Sequence, residues 1–191
     1  MAKTESTMVN LGTVAPEFAL LDAVSGKTVG RDAVFASGPK GLLVMFICAH
    51  CPYVKHVEQE LARIGVDYAG KIGIAAIQSN DIVEYPQDGP EGMREQAKRL
   101  GFRFPYLLDE TQEVARAYDA ACTPDFFLFD AELRLVYRGQ LDESRPRRGD
   151  AGNDVPVTGR DLRAAMDAVI AGEQPDTNQR TSLGCNIKWK Q

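Results

Sequence analysis

Cys48-Ala49-His50-Cys51-Pro52-Tyr53-Val54-Lys55 stands between two contrasting patterns in the sequence. Before it runs a short apolar stretch of strand length, residues 42–47. After it, apolar residues recur at spacings of three and four with charged residues between them, which predicts an amphipathic helix. These apolar residues are Val54, Val57, Leu61 and Ile64. Two cysteines separated by two residues therefore lie where a buried strand turns into a helix.

This junction favours a reactive cysteine. The first turn of a helix offers unpaired N–H groups and a partial positive charge, and both lower the pKa of a nearby thiol. Pro52 fits this turn because its missing N–H would have had no partner there. At the CxxC spacing, one thiolate can attack a disulfide and the second thiol can resolve the mixed disulfide. The pattern predicts a redox-active dithiol.

A CxxC pair is also found as half of a zinc site or as two buried thiols. Cys122 and Cys185 are the chain's other cysteines and could complete a four-cysteine site, but their neighbours lack the paired spacing of zinc knuckles. The strand-then-helix context favours the redox interpretation. No glycine-rich phosphate loop, Ser-His-Asp order or paired-carboxylate site stands out. We therefore expect no metal and no bound cofactor.

The composition of the chain disfavours several classes of binding partner. The 191 residues suffice for one well-buried core, and the net charge of −5 comes from 22 basic and 27 acidic residues. That balance disfavours nucleic acid or an anionic membrane as the main partner. No apolar run reaches the roughly 20 residues of a membrane span, and residues 1–12 lack an apolar signal core. We expect a cytoplasmic location, where paired thiols are more often catalytic than structural.

The sequence divides into three parts. Residues 1–10 are predicted to be a flexible N-terminal tail, and residues 11–172 to form one domain. Residues 173–191 are predicted to be a C-terminal tail. Trp189, the only tryptophan of the chain, follows Cys185 closely, which suggests that the end of this tail docks on the domain.

The domain itself has an α/β pattern. An N-terminal β-hairpin precedes the central strand, and a second buried run, Ile72–Ile77, follows the first helix, which predicts a parallel pair with a right-handed crossover. Helix, strand, helix, hairpin and helix then follow. Because the carboxyl ends of parallel strands meet at one edge, residues 79–81 are candidates for lining the cysteine site. The charged segment 141–157 is predicted to be a loop or a cover.

This order of elements resembles the thioredoxin fold, a three-layer α/β/α sandwich with a mixed central sheet, here extended by an N-terminal β-hairpin. Thr123-Pro124, which precedes a hairpin strand, matches the cis-proline position of that fold. The resemblance implies that Pro124 packs beside the two cysteines. It also implies that the backbone of Thr123 pairs with an incoming peptide.

A closer resemblance is to the redoxin group, which includes the alkyl hydroperoxide reductase/thiol-specific antioxidant family. Leu11-Gly12 and Ala15-Pro16-Glu17-Phe18 resemble the opening of these sequences. Residues 48–55, 122–130 and 182–189 together resemble the peroxiredoxin-like proteins of the thioredoxin family.

Three functions are compatible with this resemblance. In a thiol–disulfide oxidoreductase, Cys48 would attack, Cys51 would resolve, and Pro124, Thr123 and Pro52 would form the substrate side. In a thiol peroxidase, Cys51 or Cys48 would be peroxidatic. Peroxiredoxins, however, have Thr or Ser three residues before that cysteine, and an arginine beside it. Cys48 and Pro124 take those two places here, which favours the oxidoreductase. The third reading is a non-catalytic binding module.

Several residues are assigned further roles. His50 is expected to favour the Cys48 thiolate and so make the disulfide more oxidising. Cys122 and Cys185 are additional redox candidates or structural thiols. Leu42 takes the place of the buried aspartate of thioredoxin, for which Glu58 or Asp109 could substitute. The expected substrates are protein or small-molecule disulfides or peroxides, with a thioredoxin- or glutathione-type reductant supplying electrons.

Overall fold

The computed structural model describes residues 3–147 and 152–191. Seven strands form the main sheet in the order β3-β2-β6-β5-β4-β8-β9, and three form a smaller sheet in the order β1-β10-β7. The strands are β1 Lys3–Glu5, β2 Ala19–Asp22, β3 Thr28–Gly30, β4 Gly41–Phe46, β5 Ile72–Gln78, β6 Tyr106–Leu108, β7 Cys122–Thr123, β8 Asp125–Phe129, β9 Leu135–Gly139 and β10 Leu183–Asn186. The helices are α1 Arg31–Ala36, α2 Pro52–Asp67, α3 Pro90–Leu100, α4 Glu113–Ala117 and α5 Arg160–Ala171, with a 3₁₀ turn at Pro86–Asp88.

The centre of the main sheet is the predicted strand–helix–strand unit. Strands β4 and β5 are parallel, with Leu42 opposite Gly73 and Phe46 opposite Ile77. Every residue of both strands is buried, which explains their continuous apolar sequence. Strand β8 runs antiparallel to β4 on the other side, so the sheet is mixed. Strands β2 and β3 form the predicted N-terminal hairpin.

Helices cover both faces of this sheet. Alternate residues of β4 point to opposite faces, so Leu43 and Met45 pack with α2, α3 and α5, whereas Val44 packs with α1 and α4. Two buried clusters result, one on each side of the sheet. This is the three-layer α/β/α sandwich predicted from the sequence. No helix among the described residues has the length and apolar character needed to cross a membrane.

The smaller sheet joins both ends of the chain to the domain. Strand β10 pairs with β7 on one side and with β1 on the other, and Cys185 lies opposite both Thr123 and Lys3. The flexible tail predicted over residues 1–10 is therefore corrected at Lys3–Glu5, which form a strand. No local pattern in these polar residues indicates the pairing, because the partner strand lies about 180 residues away in the chain.

The segment predicted as a loop or cover, residues 141–157, contains residues 148–151, which lie outside the described residues. Its first part is held by Asp142, whose Oδ2 accepts hydrogen bonds from the backbone N–H groups of Thr158 and Gly159, both at 2.7 Å. These contacts attach the start of the segment to the beginning of α5.

Candidate active site

The two cysteines of the CxxC motif occupy the junction between β4 and α2. Cys51 is the N-cap residue of α2, and Pro52 is its first helical residue. Cys48 lies in the turn before the helix, and both cysteines have 0% of their surface exposed. All four cysteines are free thiols.

Thr123 connects the two thiols. The Thr123–Pro124 peptide bond is cis, as the resemblance predicted. Cys48 Sγ lies 3.4 Å from Thr123 Oγ1, and Cys51 Sγ lies 3.2 Å from the Thr123 carbonyl oxygen. The predicted association of the cysteines with the Thr123-Pro124 turn is thus present in the structure.

Asp88 holds the turn between the cysteines, and the sequence did not single it out. Its Oδ1 accepts hydrogen bonds from the backbone N–H groups of Ala49 at 2.9 Å and His50 at 3.0 Å. Its Oδ2 pairs with Nδ1 of His50 and accepts from Nδ2 of Asn80 at 2.8 Å. Asp88 is fully buried, so these four partners compensate for the burial of its carboxylate. The aspartate lies in a polar, turn-rich loop where no sequence pattern distinguishes it.

His50 lies between this carboxylate and Cys48. Its Nδ1 is 3.9 Å from Cys48 Sγ, and its ring stacks on Tyr85 with the ring centres 5.4 Å apart. The predicted proximity of His50 to Cys48 is present, although the main partner of Nδ1 is Asp88.

The other polar residues suggested for this edge have separate roles. Asn80 reaches the site through Asp88, whereas the Ser79 hydroxyl donates to Asp109 at 2.9 Å. Asp109 also accepts from the N–H of Ala115 at 2.9 Å, and Glu58 pairs with Arg99 at 2.8 Å. Both acids are therefore engaged elsewhere, and Asp88 is the carboxylate beside the CxxC turn.

The surroundings favour Cys51 as the thiolate. Hydrogen bonds from the thiols of Cys185 and Cys48 lower the pKa of Cys51 to about 2, aided by the N–H of Val54 and opposed by burial. Burial raises the pKa of Cys48 well above its usual range, and the hydrogen bond with Cys51 and the charge of Asp88 add to the rise. This ordering differs from the sequence prediction that Cys48 attacks. The physical reason is that the Cys185 thiol, which contributes most to the lowered pKa, lies beside Cys51, and Cys51 is also the N-cap residue of α2.

The site contains one group of possible metal ligands. One ligand atom each from Cys48, His50 and Asp88 lies within 4.8 Å of the other two, and the four cysteines form no such cluster in the described part of the chain. Both Asp88 oxygens, however, already accept hydrogen bonds from the turn and from Asn80. The one His50 nitrogen near the cysteine also faces that carboxylate. The proximity of these three side chains is explained by the hydrogen bonds through which Asp88 holds the CxxC turn.

The sequence of this chain matches a known protein family. The family model described as the AhpC/TSA family matches residues 11–138. The chain belongs to the AhpC/TSA family. A search of curated proteins found no match.

Two solved structures resemble this AhpC/TSA protein over their whole length. An uncharacterised conserved protein from Geobacillus kaustophilus is 51% identical, with 100% of this chain and 97% of that chain covered and a TM-score of 0.92. A hypothetical protein from Sinorhizobium meliloti 1021 is 47% identical, with 98% of each chain covered and a TM-score of 0.92. A secreted disulfide oxidoreductase from Mycobacterium tuberculosis is 12% identical, with 79% of this chain and 95% of that chain covered, and its TM-score of 0.58 shows likeness of fold. Family and fold together support a redoxin-type function.

The remaining cysteines of this AhpC/TSA protein differ in their surroundings. Cys122 is buried with its thiol directed at the carbonyl oxygen of Pro124 at 3.5 Å, and burial raises its pKa well above the usual range. These contacts favour a structural role for Cys122. Cys185, in contrast, lies opposite Thr123, and its interaction with Cys51 raises the pKa of Cys185 and lowers that of Cys51.

His50 and Asp88 should shift the reduction potential in opposite directions. Asp88 carries a negative charge beside the CxxC turn, which disfavours a thiolate there, and the His50 imidazole that pairs with Asp88 reduces this effect. We expect His50→Ala to lower the potential and Asp88→Asn to raise it, because stabilising thiolate stabilises the reduced state. Equilibration with glutathione redox buffers at pH 7 measures the reduction potentials of both variants. Equal potentials for the wild-type protein and His50→Ala would remove His50 from this role.

Proposed function

We propose that this protein is a thiol–disulfide oxidoreductase whose exchange centre is the Cys48–Cys51 dithiol. The observation that carries the proposal is that both cysteines contact Thr123 of the cis-proline turn, while Cys51 is also the N-cap residue of α2 and has a lowered pKa. One cysteine is thus prepared as thiolate and the other is held beside it.

The exchange follows from this arrangement. The Cys51 thiolate attacks one sulfur of a substrate disulfide, and the departing sulfur leaves as a thiolate. Cys48 then attacks Cys51 in the mixed disulfide and releases the second substrate sulfur, which takes the proton that Cys48 loses. The Thr123 hydroxyl, 3.4 Å from Cys48 Sγ, can donate to the thiolate that forms there. The substrate gains two electrons, and the new Cys48–Cys51 disulfide is reduced by an external thiol of the thioredoxin or glutathione type.

The surroundings of the thiols favour a small disulfide as substrate. Both cysteines are fully buried, so exchange requires a local opening. A protein substrate that adds a strand at Thr123 would compete with β10, which already pairs there. A small disulfide avoids that competition.

A thiol peroxidase is the second candidate. The lowered pKa of Cys51 favours it, because the thiolate is the form that peroxides oxidise. The largest contributions to that pKa come from thiols, burial and a backbone N–H, however, and not from an arginine. The oxidoreductase therefore remains the first proposal.

Rapid mixing distinguishes the two candidates. Reduced protein is mixed with equal concentrations of oxidised glutathione or hydrogen peroxide, and each cysteine is followed by alkylation and mass spectrometry. We expect the glutathione reaction to be the faster and to yield a Cys48–Cys51 disulfide. A faster peroxide reaction that leaves sulfenic acid on Cys51 would instead establish the peroxidase.

A further inference from the structure

Strand β10 brings a third cysteine to the site. It pairs antiparallel with β7, so that Cys185 lies directly opposite Thr123. Cys185 is only 4% exposed and lies in the same buried cluster as Cys51, and the neighbouring Cys51 raises its pKa. Cys51 therefore has a thiol neighbour on the CxxC turn and another on the C-terminal strand.

This strand is held closely against the cis-proline turn. A Cβ atom at Gly184 would lie 2.1 Å from the carbonyl oxygen of Thr123, so the two backbones approach more closely than any other residue would permit. The Ser182 hydroxyl donates to the Pro124 carbonyl oxygen at 2.7 Å. Beyond Cys185, the N–H of Lys188 donates to Oδ1 of Asn80 at 2.9 Å. Contacts on both sides thus fix the position of Cys185.

We propose that Cys185 is a third redox residue, which replaces Cys48 as the disulfide partner of Cys51. This inference rests on the proposed function. In the exchange, the Cys185 thiolate attacks Cys51 Sγ of the Cys48–Cys51 disulfide. The Cys51–Cys185 bond forms, the Cys48–Cys51 bond breaks, and Cys48 leaves as a thiolate that takes the proton lost by Cys185. The number of disulfides is unchanged, so the step needs no additional oxidant or reductant.

The contact with Cys51 would also keep Cys185 protonated, and therefore unreactive, until Cys51 becomes part of a disulfide. In the reduced protein, the hydrogen bond to the Cys51 thiolate and burial raise the pKa of Cys185, while the charge of Lys188 opposes the rise. Once Cys51 is part of a disulfide, it no longer carries the negative charge that holds the Cys185 proton. Cys185 then becomes a better nucleophile beside the sulfur that it attacks. The resulting bond would also attach β10 covalently to the start of α2.

Removing Cys48 isolates this reaction. We would react the reduced full-length Cys48→Ser protein with oxidised glutathione and follow the glutathione adduct on Cys51 by mass spectrometry. The matched control is Cys48→Ser/Cys185→Ser, in which no neighbouring thiol from the CxxC turn or β10 remains. We expect the adduct to convert to a Cys51–Cys185 disulfide, with a lifetime at least about tenfold shorter than in the control, because the attacking thiol is held in place.

A further measurement on the wild-type protein separates failure of this inference from failure of the proposed function. Equal adduct lifetimes in the two proteins, while the wild-type protein forms a Cys48–Cys51 disulfide with oxidised glutathione, would overturn the role of Cys185 alone. Failure of the wild-type protein to form any intramolecular disulfide with Cys51 would overturn the proposed function instead. Circular dichroism monitors the folding of each variant. If Cys48→Ser does not fold, Cys48→Ala is used in its place.

Discussion

Replacement of Cys51 by serine should slow the reaction with oxidised glutathione by at least about 10³-fold at pH 7, because a serine hydroxyl does not supply the thiolate that attacks a disulfide. Cys48 would not replace it, since burial and Asp88 keep the pKa of Cys48 high. The matched variant, Cys48→Ser, should still form the first mixed disulfide on Cys51. Stopped-flow mixing followed by mass spectrometry measures both rates. A normal rate in Cys51→Ser, with the adduct on Cys48, would assign the attack to Cys48 as the sequence predicted.

The pH dependence of this first step provides a second check. With its pKa lowered to about 2, Cys51 is a thiolate throughout pH 4 to 8, so the rate at which the wild-type protein forms the first mixed disulfide should vary little over that range. An ordinary thiol with a pKa near 8.5 would lose about tenfold in rate for each pH unit below it. Such a slope would show that the neighbouring thiols do not stabilise the Cys51 thiolate.

Asp125 should make the protein less stable as the pH rises from about 4 to about 8. Burial raises the pKa of Asp125 to about 7, and its Oδ1 has no hydrogen-bond partner, whereas the unfolded carboxyl titrates near 4. The folded state therefore binds the proton more tightly, and the stability that this gives is present below pH 4 and lost as the pH rises through 7. Three pKa units correspond to about 4 kcal/mol at most.

Asp125→Asn should remove most of this pH dependence, because the amide does not ionise. Urea unfolding of the reduced proteins at pH 5 and pH 8 gives the free energy of unfolding for each. Glu110→Gln is the matched control, since Glu110 is an exposed acid whose replacement should leave the difference unchanged. An equal change in the free energy of unfolding between pH 5 and pH 8 in the wild-type protein and in Asp125→Asn would contradict the assignment.

Local sequence patterns were sufficient for the parts of the fold that depend on neighbouring residues. The continuous apolar character of β4 and the helical spacing after Cys51 identified the strand-to-helix junction, whereas the cis turn at Thr123-Pro124 was predicted from the resemblance to the thioredoxin fold. Strand β1 was missed because Lys3–Glu5 are polar and gain their order from β10 at the opposite end of the chain. No pattern within ten residues of either strand carries that information.

The sequence predicted the two cysteines of the site but not its carboxylate, which belongs to Asp88. Asp88 lies 40 residues after Cys48 in a loop with several other polar residues, and only the folding of that loop over the CxxC turn distinguishes it. The preference for Cys51 as thiolate likewise depends on Cys185, which the sequence could place near the domain but not against a particular sulfur. Contacts of this kind are set by tertiary packing.

The most direct test of the central claim is an equilibrium titration of the Cys185→Ser protein with glutathione redox buffers. Thiols are trapped by alkylation and assigned by mass spectrometry. We predict a single two-electron transition in which Cys48 and Cys51 lose their thiols together and form one intramolecular disulfide, while Cys122 stays reduced. Persistence of both thiols across the buffers, or accumulation of glutathione adducts without that disulfide, would contradict the proposed exchange centre.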